Sequence, residues 1–352
     1  MESRKLFHQH GTMNRRAFLK LSGLLGLGMA SAAVLPAPAQ CLKFDKRRYK
    51  LTQTRIAMGT FVSMTLIHGS RDQAEEAMAR AYDEIDRVAG LLSRFDRGAA
   101  VTQLNTEGSL RDVPPELNQV ITHSLYFYHL SNGAFDITVK PVVDLFQEKL
   151  GGEKKDFPSE QELHGVLKLV GAKRIQVDRQ GITFRKPGMG ITLDGIAKGF
   201  IVDRASEVLT QAGVADFLIN AGGDIRTKGG RTDKKPWTIA IEDPKKRMEY
   251  PDIIHMRDGA IATSGNYEVY FDREKMFHHI VDPKTGVSPD QCTSVSVLAK
   301  TTTRADALST SVFVMPPAQG TAFIDTIPDS ACLIITRNGT LLRSSGWKHE
   351  AI

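Results

Sequence analysis

Cysteine is scarce: the 352 residues hold only Cys41, Cys292 and Cys332. Three thiols make no even framework and none shares a zinc-type spacing with histidine, so neither a disulfide scaffold nor a zinc site organises this chain. Cys292 and Cys332 each sit beside a β-like run, where a buried free thiol is the expected state rather than a disulfide. A basic surface is missing as well. The net charge of +6 comes from the first fifty residues, which carry ten Lys or Arg and two acids; residues 51–352 hold 36 basic and 38 acidic side chains, a net of −2. With no basic stripe and no interleaved aromatics, a nucleic-acid partner is excluded. Two phosphate-binding frames are also absent. No Gly-x-x-x-x-Gly-Lys is followed by Ser or Thr, and no Gly-x-Gly-x-x-Gly follows a strand.

What is present begins with "NRRAFLKLSGLLGLGMASAAVLPAPAQ". Twin arginines Arg15 and Arg16, a short apolar stretch and the small-residue run Ala37-Pro38-Ala39 read as a Tat-type export signal over residues 1–40, followed by a basic linker, 41–50. The apolar part, Leu21 to Leu35, is broken by Gly and Ser and is shorter than the ~20 residues a spanning helix needs. Cleavage is therefore expected, and Cys41 is a candidate lipidation site, although Gln40 suits a lipobox poorly. The expected location is the periplasm, either free or anchored to the membrane.

Residues 51–352 read as one unit with no internal repeat. "TRIAMGTFVSMTLI" alternates like a strand, and "DQAEEAMARAYDEIDRVAGLL" has helical spacing through Ala74, Ala77, Met78, Ala81, Ile85 and Val88. A second helix, "ELNQVITHSLYFYHL", stops at Ser-Asn-Gly. "RIQVDRQGITF" and "CLIITRNGTLL" predict hairpins, and short β-like runs fill the stretch between them. No βαβ alternation persists, so the fold class is α+β: mixed or antiparallel sheets with flanking helices.

Four stretches carry chemistry. "GMGITLDGIAKGFIVDRA" places Lys198 in the first turn of a helix running to about Gly213, where glycines allow close backbone approach. Such a helix start suits an anion; equally, Asp194 can simply cap the helix. "RADALSTSVFVM" puts Asp306 and Thr310 one helical turn apart, a pair of hard oxygen donors suited to Mg²⁺ or Ca²⁺. "NAGGD", Asn220 to Asp224, is a tight turn. In "FHHIVDPKTG", His278 and His279 face opposite ways if the run is a strand, so only one can serve a given site.

The order of these stretches, with "MGT", "LSRFD", "LN" and "SNGAFD" before them and "TSGNYE" between, resembles the ApbE family of FAD:protein FMN transferases over residues 51–345. The resemblance implies an enzyme that uses FAD and Mg²⁺ and transfers the FMN half to a Thr or Ser of an acceptor flavoprotein, releasing AMP. It implies Asp306, Thr310 and the Gly195 carbonyl as metal ligands. Met58, Phe95, Ala134, Phe135, Asp136, Thr192, Asp194 and Lys198 would lie around FAD, with His279 facing the reacting phosphate and sharing the catalytic role with Asp306. One departure stands out: where the family carries an acid two residues before the first glycine, this chain has Thr192. Either its hydroxyl substitutes or Asp194, on the same face of a strand, takes over. An exported FAD carrier and an FAD pyrophosphatase are the alternative readings. The expected acceptor is an envelope respiratory or electron-transfer protein.

Overall fold

The computed structural model describes residues 13–14, 37–43, 48–151, 156–231, 235–245, 249–266 and 280–348. Its frame is a nine-stranded sheet: β1 (Ala37–Lys43), β2 (Tyr49–Ala57), β3 (Thr60–His68), β4 (Asp216–Ala221), β5 (Asp224–Lys228), β6 (Gly259–Gly265), β7 (Cys292–Ala299), β8 (Ala331–Thr336) and β9 (Leu341–Arg343). Spatial order follows chain order and every pairing is antiparallel. The α+β expectation is therefore met by a meander into which helices are inserted. Part of the stretch read from sequence as signal and linker contributes strand residues to the sheet edge.

The run expected to be one strand, "TRIAMGTFVSMTLI", is a hairpin. Met58 and Gly59 both take positive φ, 53° and 71°, and pair Ala57 with Thr60 across a two-residue turn. Such turns are normally written Asn-Gly or Asp-Gly, so a methionine in the left-handed region hid this one.

Between β3 and β4 come α1 (Arg71–Leu92), α2 (Ala100–Glu107), α3 (Pro115–Leu130), α4 (Lys140–Gly151), α5 (Glu160–Leu167) and α6 (Ala197–Gln211); between β7 and β8 come α7 (Thr302–Val314) and α8 (Pro317–Asp325). The apolar stripe of α1, from Ala74 to Leu92, is buried against Val62, Met64 and Leu66 of β3 and against Phe217 and Ile219 of β4. Tyr82 fixes its height: its buried hydroxyl lies 2.9 Å from the Gln53 carbonyl and 3.0 Å from that of Val62. The opposite sheet face, with Ile67, Leu218, Ile225, Ile261 and Leu333, is covered by a two-stranded ribbon, Trp237–Ala240 with Ile253–Met256, and by Trp347.

Helix α7 sits close on the sheet because the contact is built of small side chains: Ala305 meets Ala260, Ala262 and Ala299. Among the described residues no helix is long and apolar enough to cross a membrane.

Cys292 and Cys332 are buried and free, as read from sequence. Burial pushes their thiols up to about 12 and about 11. In a Cys41→Ser background, an aromatic disulfide reagent at pH 8 is expected to release no thiolate from the native protein and two equivalents after denaturation. A fast native equivalent would show that one of these thiols is reachable.

Candidate active site

The segment before α6 is held by side chains rather than by a strand ladder. Asn105 clamps Ile191 from both sides: its Oδ1 accepts the Ile191 N–H at 2.7 Å, and its Nδ2 donates to the Ile191 carbonyl at 2.9 Å. The Thr192 N–H then donates to the Ile137 carbonyl at 2.8 Å, after which the chain turns through Asp194 and Gly195 into the helix. The idea that Thr192 and Asp194 share a strand face therefore fails. Thr192 is buried, while Asp194 points outward and pairs with Arg94 at 3.2 Å.

Asp194 does not cap the helix either. The N-cap is Ile196, whose side chain makes no capping bond. The cap comes from α7: Asp306 Oδ2 accepts the Gly199 N–H, the third helical amide, at 3.0 Å. Helix α6 returns the favour one turn on. Asp203 Oδ1 accepts the Thr302 N–H at 2.9 Å, and its Oδ2 accepts the Thr303 N–H at 2.8 Å and the Thr303 hydroxyl at 2.6 Å. Each helix thus supplies the carboxylate for the other's N-terminus, where unsatisfied amides and the dipole favour negative charge.

So close an approach requires glycine. A Cβ on Gly199 would stand 2.5 Å from the Thr302 carbonyl oxygen and 2.8 Å from Asp306 Cβ, and one on Gly195 would stand 2.8 Å from Thr310 Oγ1. The contacts run in antiparallel steps of one turn: Asp203 with Thr302, Gly199 with Asp306, Gly195 with Thr310. The last step opens into a cleft.

Ala134, Phe135, Asp136, Thr192, Asp194, Gly195, Lys198, Asp306 and Thr310 all line that cleft, so the structure brings together three stretches that are far apart in sequence. Met58 and Phe95 do not line it. Met58 forms the hairpin turn and packs on the main core; the Phe95 ring is exposed beneath the Arg94 guanidinium, 4.3 Å away. His278 and His279 lie outside the described residues, although Ile280 and Val281, next in sequence, are on the cleft wall.

Asp136 serves the frame as well as the wall. Its Oδ1 accepts from the Thr138 N–H at 2.8 Å and the Thr138 hydroxyl at 2.5 Å, and Oδ2 accepts from the Ala172 N–H at 3.1 Å. Burial raises its carboxyl above the usual carboxylate range, and these bonds oppose the rise.

Sequence reading missed Asp224, Thr263 and Ser264 as wall residues. Asp224 is buried at the start of β5, with Oδ2 3.6 Å from Lys198 Nζ. Ser264 Oγ lies 3.3 Å from Thr310 Oγ1 and 2.8 Å from Ser309 Oγ. The signal for them was faint: Asp224 ends "NAGGD" and Ser264 falls in "TSGNYE", turns noted without a side-chain role. Four aspartates and one lysine now face the cleft, a balance that repels a bare polyanion and calls for a cation beside it.

The sequence matches the ApbE family over residues 58–334. Among curated proteins, the FAD:protein FMN transferase of Haemophilus influenzae is 34% identical over 265 residues, spanning 72% of this chain and 74% of that protein. The FAD:protein FMN transferase of Vibrio cholerae is 32% identical over 248 residues, 68% of this chain and 74% of that one. Among solved structures, the ApbE protein of Thermotoga maritima superposes with a TM-score of 0.76 at 31% identity, covering 84% of this chain and 97% of that one. The flavin transferase ApbE of Vibrio cholerae gives 0.72 at 26% identity, covering 88% and 98%.

The tight helix contact predicts opposite signs for one substitution at two sites. Gly199→Ala is expected to destabilise by about 3 kcal/mol or more, because backbone rather than a flexible side chain stands in the way. Gly90→Ala, in α1 with nothing within 4 Å of the added carbon, is expected to stabilise by about 0.5–1 kcal/mol. Urea unfolding of both variants measures this; a neutral Gly199→Ala would refute the close approach.

Proposed function

Because this chain belongs to the ApbE family, we propose that it is an FAD:protein FMN transferase, moving the FMN half of FAD onto a Ser or Thr hydroxyl of an acceptor flavoprotein. The observation that carries the proposal is the convergence of Gly195, Lys198, Asp306 and Thr310 on one cleft. In the reaction the acceptor oxygen attacks the FMN-side phosphorus, the pyrophosphate P–O bond breaks, and AMP leaves with the electron pair. The hydroxyl proton passes to a base.

The donor set fits Mg²⁺. Asp306 and Thr310 are hard oxygen donors one turn apart, and Gly195 lies against Thr310, so its carbonyl is the third candidate. Among the described residues no group of three or more His, Cys, Asp or Glu side chains could hold a metal ion. A cation here would need water and substrate oxygens to complete its shell, which is the habit of Mg²⁺ beside phosphates. When bound, it would neutralise charge on the pyrophosphate.

The chain's own residues do the rest. Lys198, in the first turn of α6, places an ammonium where charge builds on the departing phosphate, and Asp224 at 3.6 Å restrains that side chain. Asp306 carries the site's charge while its Oδ2 holds the Gly199 amide. Phe135 walls the cleft on the apolar side, and Thr192 holds the turn through its hydroxyl, 3.4 Å from the Asp194 N–H. His279 is our candidate for receiving the proton, by resemblance alone. Export by the Tat-type signal would place the reaction in the periplasm, on an envelope acceptor.

Asp306→Asn keeps an oxygen for the Gly199 amide and removes the charge. It is expected to fold normally and to slow AMP release from FAD plus acceptor by about 100-fold or more. Wild-type chain that forms AMP in step with acceptor gaining the mass of FMN supports the transferase. AMP without modified acceptor would favour a pyrophosphatase, and bound FAD with no AMP a carrier. Undiminished transfer by Asp306→Asn would sink the role given to that carboxylate.

A further inference from the structure

We infer that Asp203, outside the cleft, is a positioning residue for the metal and pyrophosphate site. The inference rests on the functional reading above and extends it to a residue that touches no substrate.

Asp203 is one turn beyond Gly199 on α6, and Thr302 is one turn before Asp306 on α7. Its two oxygens bind the first two amides of α7 and the Thr303 hydroxyl at 2.6–2.9 Å. Arg226 of β5 approaches the same carboxylate, Nε to Oδ1 3.9 Å, and donates from Nη1 to the Gly259 carbonyl at 2.7 Å. Asp203 therefore joins three elements: the helix whose first turn carries Lys198, the helix that carries Asp306 and Thr310, and the strand that begins with Asp224.

Elsewhere along the two helices the contacts include close packing at Gly199 and Gly195 and the bond from Asp306 to the Gly199 amide. Packing limits how near the helices come, but it resists sliding poorly. A carboxylate fixed on two successive amides and a hydroxyl resists sliding in both directions. The cleft end of α7 lies two turns from this anchor, so a slip there moves Thr310 and the Asp306 carboxylate together relative to Gly195. A misplacement of about 1 Å at such a site costs on the order of 100-fold in rate.

The test uses the whole chain, with Mn²⁺ as a spin-active stand-in for Mg²⁺ and ADP as a pyrophosphate that cannot donate FMN. Loss of the free-Mn²⁺ signal reports binding without turnover. Asp203→Ala is expected to weaken Mn²⁺ binding by tenfold or more and to raise the Mg²⁺ needed for half-maximal AMP release from FAD by a similar factor. Asp203→Asn, which keeps one acceptor, is expected to fall between. Ile239→Ala, a buried substitution in the ribbon on the opposite face of the sheet, lowers Tm but is expected to leave both quantities within twofold. If Asp203→Ala lowers Tm yet leaves both within twofold, Asp203 is only a structural cap and the inference is overturned. The same holds if Ile239→Ala shifts them equally, or if the wild-type chain binds no Mn²⁺ with ADP. Wild-type chain that binds Mn²⁺ but forms no AMP would instead overturn the transferase reading and leave the binding comparison standing as the test of Asp203.

Discussion

The exchange of carboxylates between α6 and α7 is the interaction on which the rest of the site depends. A helix N-terminus leaves amides without intrahelical partners, and local sequence usually supplies a cap. Here Ile196 cannot do so, and Asp306 reaches across to Gly199; for α7, Thr301 bonds the third amide at 3.3 Å while Asp203 takes the first two. Each cap contributes about 1 kcal/mol in typical cases. Neither survives if the helices separate, so the two ends are stable only together. Gly199 is the condition for this, since any side chain there would force the backbones apart and break both bonds at once.

The sheet delivers these helices to each other. In a next-neighbour meander, long insertions must leave one strand and return to the next, and α6 and α7 come from different insertions. They meet because alanines on β6, β7 and α7 let one helix settle low on the sheet while α6 packs beside α1. The cleft opens where the helix pair ends, and β6 closes it with Thr263, Ser264 and Gly265. Its acidity is balanced locally: Asp194 by Arg94, Asp224 by Lys198, Asp136 and Asp306 by backbone amides. That arrangement gives each carboxylate at the wall a partner without making the cleft attractive to a lone anion.

Much of this was legible in the chain, for reasons that differ by residue. The stripe of α1 has a period that a strand cannot imitate, and burial of Ala74 through Leu92 follows from it. Asp306 and Thr310 were legible as a pair because i and i+4 share a helix face. The hairpin at Met58-Gly59 was hidden because its first turn residue is not one that favours positive φ. Asp194 looked like a cap because it precedes the helix, but the turn carries it outward to Arg94, a hundred residues earlier in sequence. Asp203 carried no local signal, and Asp224 only the faint one of ending the turn "NAGGD". Their partners lie on other elements, and only the register of the sheet brings them near.

The missing phosphate-binding frames now have a physical counterpart. A P-loop presents free helix amides and their dipole to phosphate. In this fold the corresponding amide of α6 is already bound by the Asp306 carboxylate, so the helix start offers phosphate no equivalent cradle. A carboxylate in that position reverses the local charge and makes the site favour a cation. Under the proposed function, an anionic pyrophosphate would bind with a metal between it and the helix, supported by Lys198 from the side. The absence of a Walker or Rossmann spacing and the presence of Asp306 opposite Gly199 are thus two signs of one arrangement, in which, under the proposed function, the helix terminus would hold the ligand of a cation and the cation would hold the phosphate.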